Sequence, residues 1–138
     1  RPFFVAGGGS PEAFLATKLR VWAQSLSGRE QLAVEKFAEA LESIPISLAR
    51  NSGMNPIDAI TQLRAKQSAG EKYTGVDAVN GIIGDIEKID VLEPIKVKEQ
   101  VIKSATETAN MILRIDNVVA VSKSSASAQM PNQPPGMY

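Results

Sequence analysis

The sequence holds no cysteine and no histidine among its 138 residues, and only 5% of them are aromatic. Each shortage removes chemistry. Without cysteine there is no disulfide framework, no thiolate nucleophile and no Cys-ligated zinc. Without histidine there is no Ser-His-Asp triad and no imidazole-held metal. Any site must be built from carboxylates, lysine, Ser/Thr or backbone amides. Neither sign of charge is in excess, since 15 Lys+Arg balance 15 Asp+Glu. With no long basic run, nucleic acid is not an expected partner, because such binding rests on phosphate neutralisation. No apolar run approaches the ~20 residues of a membrane span, so no membrane is expected either. The apolar opening Pro2–Ala6 is too short for a signal peptide. Missing cysteines fit a reducing compartment. The first residue is Arg1 rather than Met, so the chain reads as processed or as a piece of something longer.

What is present is aliphatic. At 43% apolar, with few aromatics, the core must be alanine- and leucine-rich, which suits packed helices. Phe3–Ala6 reads as a short buried strand running into Gly7-Gly8-Gly9. Ser10-Pro11-Glu12 is a helix start, with Ser10 as N-cap and an acid in the first turn. Phe14/Leu15, Leu19, Trp22 and Leu26 form its expected apolar stripe, and Ser27-Gly28 its end. A second helix is expected over Arg29–Arg50, with Ala33, Phe37, Ala40/Leu41, Ile44 and Leu48 facing inward. Pro45 within it predicts a kink or a relaxed turn, kept for a packing reason. Asn51-Ser52-Gly53 is a stop, and Asn55-Pro56 starts a third helix that ends at Gly70. Tyr73–Val79, Asn80-Gly81 and Ile82–Ile86 read as a hairpin around a two-residue turn. Glu93-Pro94 opens the last long helix, with Val97, Val101, Ala105, Thr108/Ala109 and Ile112 inward. Val118–Val121 is a short strand. From Ser122 the composition predicts disorder.

Three features invite a functional reading, and each has a plainer one beside it. A glycine run between a strand and a helix lets backbone approach a ligand closely. It equally suits a tight turn packed on other backbone, and it matches neither the dinucleotide fingerprint nor the P-loop. Asp77 in Gly75-Val76-Asp77 can accept hydrogen bonds from a ligand or serve its own turn. Glu93, with Lys98 one turn later, can hold a sugar hydroxyl or merely cap a helix. Ser124, Ser125 and Ser127 are not nucleophiles, since no base accompanies them.

In combination the pieces are far more specific. Val5-Ala6-Gly7-Gly8-Gly9-x-Pro-Glu is followed by Ser27-Gly28-Arg29-Glu30-Gln31-Leu32-Ala33-Val34-Glu35, and Ile44-Pro45 follows that. Then come Asn55-Pro56-Ile57-Asp58, Gly75-Val76-Asp77, Glu93-Pro94-x-x-Val97-Lys98 and Met111-Ile112-Leu113-Arg114-Ile115-Asp116. Over roughly residues 3–121 this order resembles the C-terminal part of the equatorial domain of group II chaperonins, the archaeal thermosome and its cytosolic eukaryotic relatives.

The resemblance implies a mainly α fold: a helical equatorial-domain segment over 1–121 with a small β-hairpin and short terminal strands, then a disordered tail over 122–138. It implies an ATP-dependent, cytoplasmic folding machine whose subunits form a homo- or hetero-oligomeric double ring and handle unfolded clients through an apical domain. Carried over residue by residue, Gly8 with Gly9 matches the segment lying against bound ATP or ADP. Asp77 and Ala78 match the adenosine end, Glu93 the acid near the ribose, and Lys98 the basic residue after it. Val118–Val121 matches a strand shared with a neighbouring subunit. The family's Gly-Asp-Gly-Thr-Thr phosphate segment and its upstream catalytic aspartate do not occur in this sequence, so magnesium is expected to be held elsewhere. The chain alone is expected to show no ATPase activity. It is also expected to associate, or to stay partly molten, because its helices are apolar beyond one stripe. A free-standing helical scaffold with no nucleotide role is the leading alternative, and a small nucleotide-binding regulator is a third.

Overall fold

A computed structural model describes residues 3–115. Strand β1 (Phe4–Ala6) leads into helices α1 (Ser10–Ala23), α2 (Gly28–Asn51) and α3 (Pro56–Ser68). The hairpin strands β2 (Thr74–Asp77) and β3 (Ile82–Asp85) follow, then a 3-10 turn at Glu87–Ile89, β4 (Leu92–Pro94) and α4 (Ile95–Leu113). The chain divides into two units, residues 1–103 and residues 104–138. The expected mainly helical class with a small hairpin is what forms. The strand expected at Val118–Val121 and the tail from Ser122 lie outside the described residues.

The helix ends follow local chemistry. The Asn55 side chain accepts from the Ile57 amide at 2.9 Å and caps α3, and Pro56 costs nothing there because its missing N–H would have no helical partner. At the end of α2, Gly53 (φ +78°) lets its own amide reach the Arg50 carbonyl and lets the Met54 amide reach that of Ala49. This double closure satisfies carbonyls the helix leaves open. Ser10, by contrast, is not the cap of α1. Gly9 takes that place in the left-handed region, and the Ser10 hydroxyl instead donates to the Lys72 carbonyl at 3.1 Å.

The buried faces differ from the apolar stripes read in the sequence. On α1 the buried residues are Ser10, Glu12, Ala13, Ala16 and Ala23, whereas Leu15 and Trp22 are exposed. On α2 they are Ala38, Leu41, Glu42, Pro45 and Ala49, while Ala33 and Phe37 face out. The expected stripes are thus rotated by about one residue. The cause is size: these two helices make the most extensive pairing in the fold, and alanines let their backbones close up. α2 continues through Pro45 without a break. The Pro45 ring lies against Gly9, where a Cβ would come within 2.7 Å of the Pro45 Cβ. One core cluster joins Ala13, Ala49, Ala59, Ile60, Leu63, Val76 and Ile83, and a second joins Ala16, Ala38 and Leu41 with Leu19 and Ile102 beside them. Leu63 alone, fully buried, contributes roughly 1.5–3 kcal/mol.

Two further boundaries move. The hairpin pairs Asp77 with Ile82, so its loop spans residues 78–81 rather than Asn80-Gly81 alone. Asp77 drives this by gathering loop amides on its carboxylate. Glu93-Pro94 does not open α4; it lies in β4, which pairs antiparallel with β1 in the register Val5↔Glu93. Proline is tolerated at the end of so short an edge strand, and the ladder passes to Ile95, whose amide donates to the Phe3 carbonyl at 2.9 Å. On α4 the inward residues before residue 104 are Ile95, Lys98 and Ile102 rather than Val97 and Val101, which are exposed.

Candidate functional site

The glycine run is held on two sides by backbone. Gly8 and Gly9 are both left-handed, with φ of +61° and +71°. The Val76 amide donates to the Gly8 carbonyl at 2.8 Å, and a Cβ on Gly8 would stand 2.6 Å from the Val76 carbonyl oxygen. No real side chain tolerates that approach, so glycine is required twice over, by conformation and by space. On the other side the Gly7 amide donates to the Val91 carbonyl at 2.8 Å. A Cβ on Gly7 would meet Glu93 Oε1 at 3.0 Å. The turn is therefore wedged between the hairpin and the segment that leads into α4.

This wedge brings together residues from both ends of the first unit. Gly8 lies against β2, whose last residue is Asp77. Ala78 follows as the first exposed residue of the hairpin loop. Glu93 sits at the edge of the glycine turn, and Lys98 reaches back to it with Nζ 2.8 Å from Glu93 Oε2. Gly9 faces away from this group, onto Pro45.

Asp77 is nearly buried, and its carboxylate accepts from the Val79 amide (3.1 Å), the Asn80 amide (3.0 Å) and Asn80 Nδ2 (2.6 Å). Those bonds, led by the Asn80 side chain, hold its carboxyl below the usual carboxylate range. The acid thus shapes its own loop and fixes where Ala78 is presented.

Lys98 has a second partner that the sequence reading missed. Glu12 Oε1 lies 2.6 Å from Lys98 Nζ, and both side chains are largely withdrawn from solvent. Burial alone would lower the Lys98 pKa, but hydrogen bonds to Glu12 and Glu93, with their charge, outweigh it and hold the ammonium above its ordinary range. The signal in the sequence was an acid in the first turn of α1, just past the glycines. Such an acid is ordinarily ascribed to the helix dipole.

The cavity of about 410 Å³ beside β1 is lined by Phe4, Ser10, Phe14, Tyr73 and Leu92 among others, and by none of Gly8, Gly9, Asp77, Ala78, Glu93 or Lys98. Among the described residues there is no group of three or more carboxylates able to hold a metal ion, and no helix long and apolar enough to cross a membrane.

Residues 1–123 match the TCP-1/cpn60 chaperonin family. The chain is 55% identical over 123 residues to thermosome subunit alpha of Sulfolobus acidocaldarius, covering 88% of this chain and 22% of that protein. It is 54% identical over 116 residues to thermosome subunit beta of Archaeoglobus fulgidus, covering 84% of this chain and 21% of that one. Its fold matches the open-state monomer of a group II chaperonin from Methanococcoides burtonii with a TM-score of 0.79 and 48% identity, over 81% of this chain and 28% of that one. The chain thus spans about a fifth of the length of the curated relatives it matches.

Proposed function

The chain belongs to the TCP-1/cpn60 chaperonin family, as a group II chaperonin segment, and from that premise we propose that it supplies the adenosine side of an ATP site together with ring-building surface. In this reading the whole subunit is a cytoplasmic, ATP-driven folding machine. It assembles with other chaperonin subunits in a double ring and acts on unfolded proteins through an apical domain. The observation that supports the reading is the backbone wedge at Gly7-Gly8-Gly9, which has Val76 of β2 on one side and Glu93, paired with Lys98, on the other.

The residues fit the nucleoside end of ATP or ADP. Gly8, bare of a Cβ, lets the turn close onto the Val76 backbone, so that in this reading its own backbone forms the edge along which a ligand lies, and Gly9 sets the turn's path. Asp77 holds the loop that presents Ala78 to a base. Glu93 Oε2 is engaged by Lys98, which leaves Oε1 to accept ribose hydroxyls. The described residues offer no comparable cradle for the phosphates, whose charge needs metal and positioned donors in any phosphoryl transfer. Those parts belong, in this proposal, to other segments of the subunit, and the chain alone releases no phosphate from ATP.

A calorimetric ADP titration tests this. The chain mixed with the complementary equatorial segment of a thermosome subunit is expected to bind ADP, and Glu93→Ala is expected to weaken binding roughly tenfold or more, as for one lost hydrogen bond to a charged acceptor. No binding by the mixture, or equal binding by Glu93→Ala, refutes the reading. Phosphate release by the pure chain, above that of the Glu93→Ala variant, refutes its inactivity alone.

A further inference from the structure

Glu12 is an expensive residue to place where it stands. It is 3% exposed, and a buried carboxylate is tolerated only when paired and hydrogen-bonded. Its Oε1 has Lys98 at 2.6 Å, but its Oε2 is buried with no hydrogen-bond partner among the described residues. A carboxylate in the first turn of α1 that served only the helix dipole would gain as much from the surface. Burial instead brings it to Lys98, which is shared with Glu93. The three groups lie on three elements: Glu12 on α1, Glu93 on β4 and Lys98 on α4.

We propose that Glu12 is a positioning residue for the sugar end of the nucleotide site: it anchors Lys98, and Lys98 in turn fixes Glu93 at the edge of the glycine turn. The inference rests on the reading of Glu93 as the ribose acceptor. Two carboxylates share one ammonium, so Lys98 does not fully neutralise Glu93. Glu93 is tied by Oε2 alone, and its Oε1 stays at the Gly7 edge as a charged acceptor. Without the charge on Glu12, Lys98 pairs with Glu93 one to one. Its long side chain is then free to swing with Glu93 toward solvent, where Glu93 is already partly exposed. Glu12 itself touches no ligand in this scheme, and its effect is confined to the hydroxyls that Glu93 would accept.

The test compares ADP with dideoxy-ADP, which lacks both ribose hydroxyls, by calorimetry on the chain mixed with the complementary equatorial segment. Glu12→Gln keeps the shape and removes the charge. It is expected to weaken ADP roughly tenfold and to leave dideoxy-ADP unchanged. Equal weakening of both nucleotides would make Glu12 merely structural and overturn the proposal, as would no change in either. If the parent mixture binds the two nucleotides alike, the Glu93 reading itself falls and takes this one with it. Should Glu12→Gln fail to fold by circular dichroism, Glu12→Met, which also removes the charge and suits the buried position, is read on the same pair with the same outcomes.

Discussion

Glu42 offers the sharpest test of how the helices are held. It lies in α2, 2% exposed, and two arginines fork onto it from the neighbouring helices. Arg20 of α1 donates through Nη1 to Oε1 at 2.6 Å and through Nη2 to Oε2 at 2.5 Å. Arg64 of α3 donates through Nε to Oε1 at 2.7 Å and through Nη2 to Oε2. Removing one member of a buried ion pair costs about 3–5 kcal/mol, mainly because the partner charge is stranded. Here the guanidiniums are 33% and 45% exposed, so water relieves much of that penalty. A cost of about 2 kcal/mol is expected for Glu42→Gln, which lowers a urea midpoint by roughly 1 M. Arg20→Met or Arg64→Met should cost less, since each leaves Glu42 with one complete fork. The sign with pH follows from the same contacts. Burial alone would raise the Glu42 pKa, but the hydrogen bonds and charge of Arg20 and Arg64 win and hold it below the ordinary range. Its contribution is therefore fully present above an unfolded value of about 4.3 and is lost as pH falls through the depressed folded value. Urea melts by circular dichroism at neutral and acid pH, at two protein concentrations to separate association from folding, measure both effects. An unchanged midpoint in Glu42→Gln, or the same acid sensitivity with and without the carboxylate, would refute the reasoning.

Three further outcomes are expected. Gly53→Ala meets only the left-handed penalty of about 1 kcal/mol, because nothing lies within 4 Å of the new methyl. Gly8→Ala adds a collision with the Val76 backbone and should be several times more damaging; equal melting temperatures would count against the wedge. Asp77→Ala should lower the exchange protection factors of the Val79 and Asn80 amides, whose N–H groups the carboxylate holds, and acidification of the parent through the lowered Asp77 pKa should lower the same factors, taken relative to the intrinsic rate at each pH. Unchanged protection would show that the loop does not depend on this acid. Trp22, Leu32, Val97 and Val101 are each more than half exposed, and large apolar side chains left in water favour association where they adjoin. Sedimentation should show association, and a compact, cooperative monomer would contradict it.

Element existence was legible in the sequence wherever the determinants are local. Asn55-Pro56, Gly53 and Gly70 each act on the turn beside them, and the helix boundaries they set fall where the residues predict. Facing was not legible on α1 and α2. An apolar stripe identifies a core face only when the partner helix wants large side chains. Here the partners want closeness, which alanine supplies, so Trp22 and Phe37 lie outside the face that Ala13, Ala16 and Ala38 form. Glu42 makes the same point from the other side. A lone acid on a helix reads as solvent-facing until Arg20 and Arg64 arrive from residues 22 positions away in either direction.

The site was legible to a different depth in each residue. Gly8 announces itself, because consecutive glycines between a strand and a helix have few purposes. What it approaches, the backbone of Val76, depends on a hairpin far along the chain. Glu93 was read as the opening of a helix, since Glu-Pro is a common helix start. Its place in β4 instead depends on β1 offering an edge, and no local pattern records that pairing. Glu12 was hidden because a first-turn acid has a sufficient local explanation. Only burial makes that explanation inadequate: the dipole rewards an exposed acid as well, whereas a withdrawn one needs a cation, and Lys98 is the cation within reach. A residue with a satisfactory local reason is thus the kind most easily overlooked, and the ratio of ADP to dideoxy-ADP affinity in Glu12→Gln decides whether this one also acts at a distance.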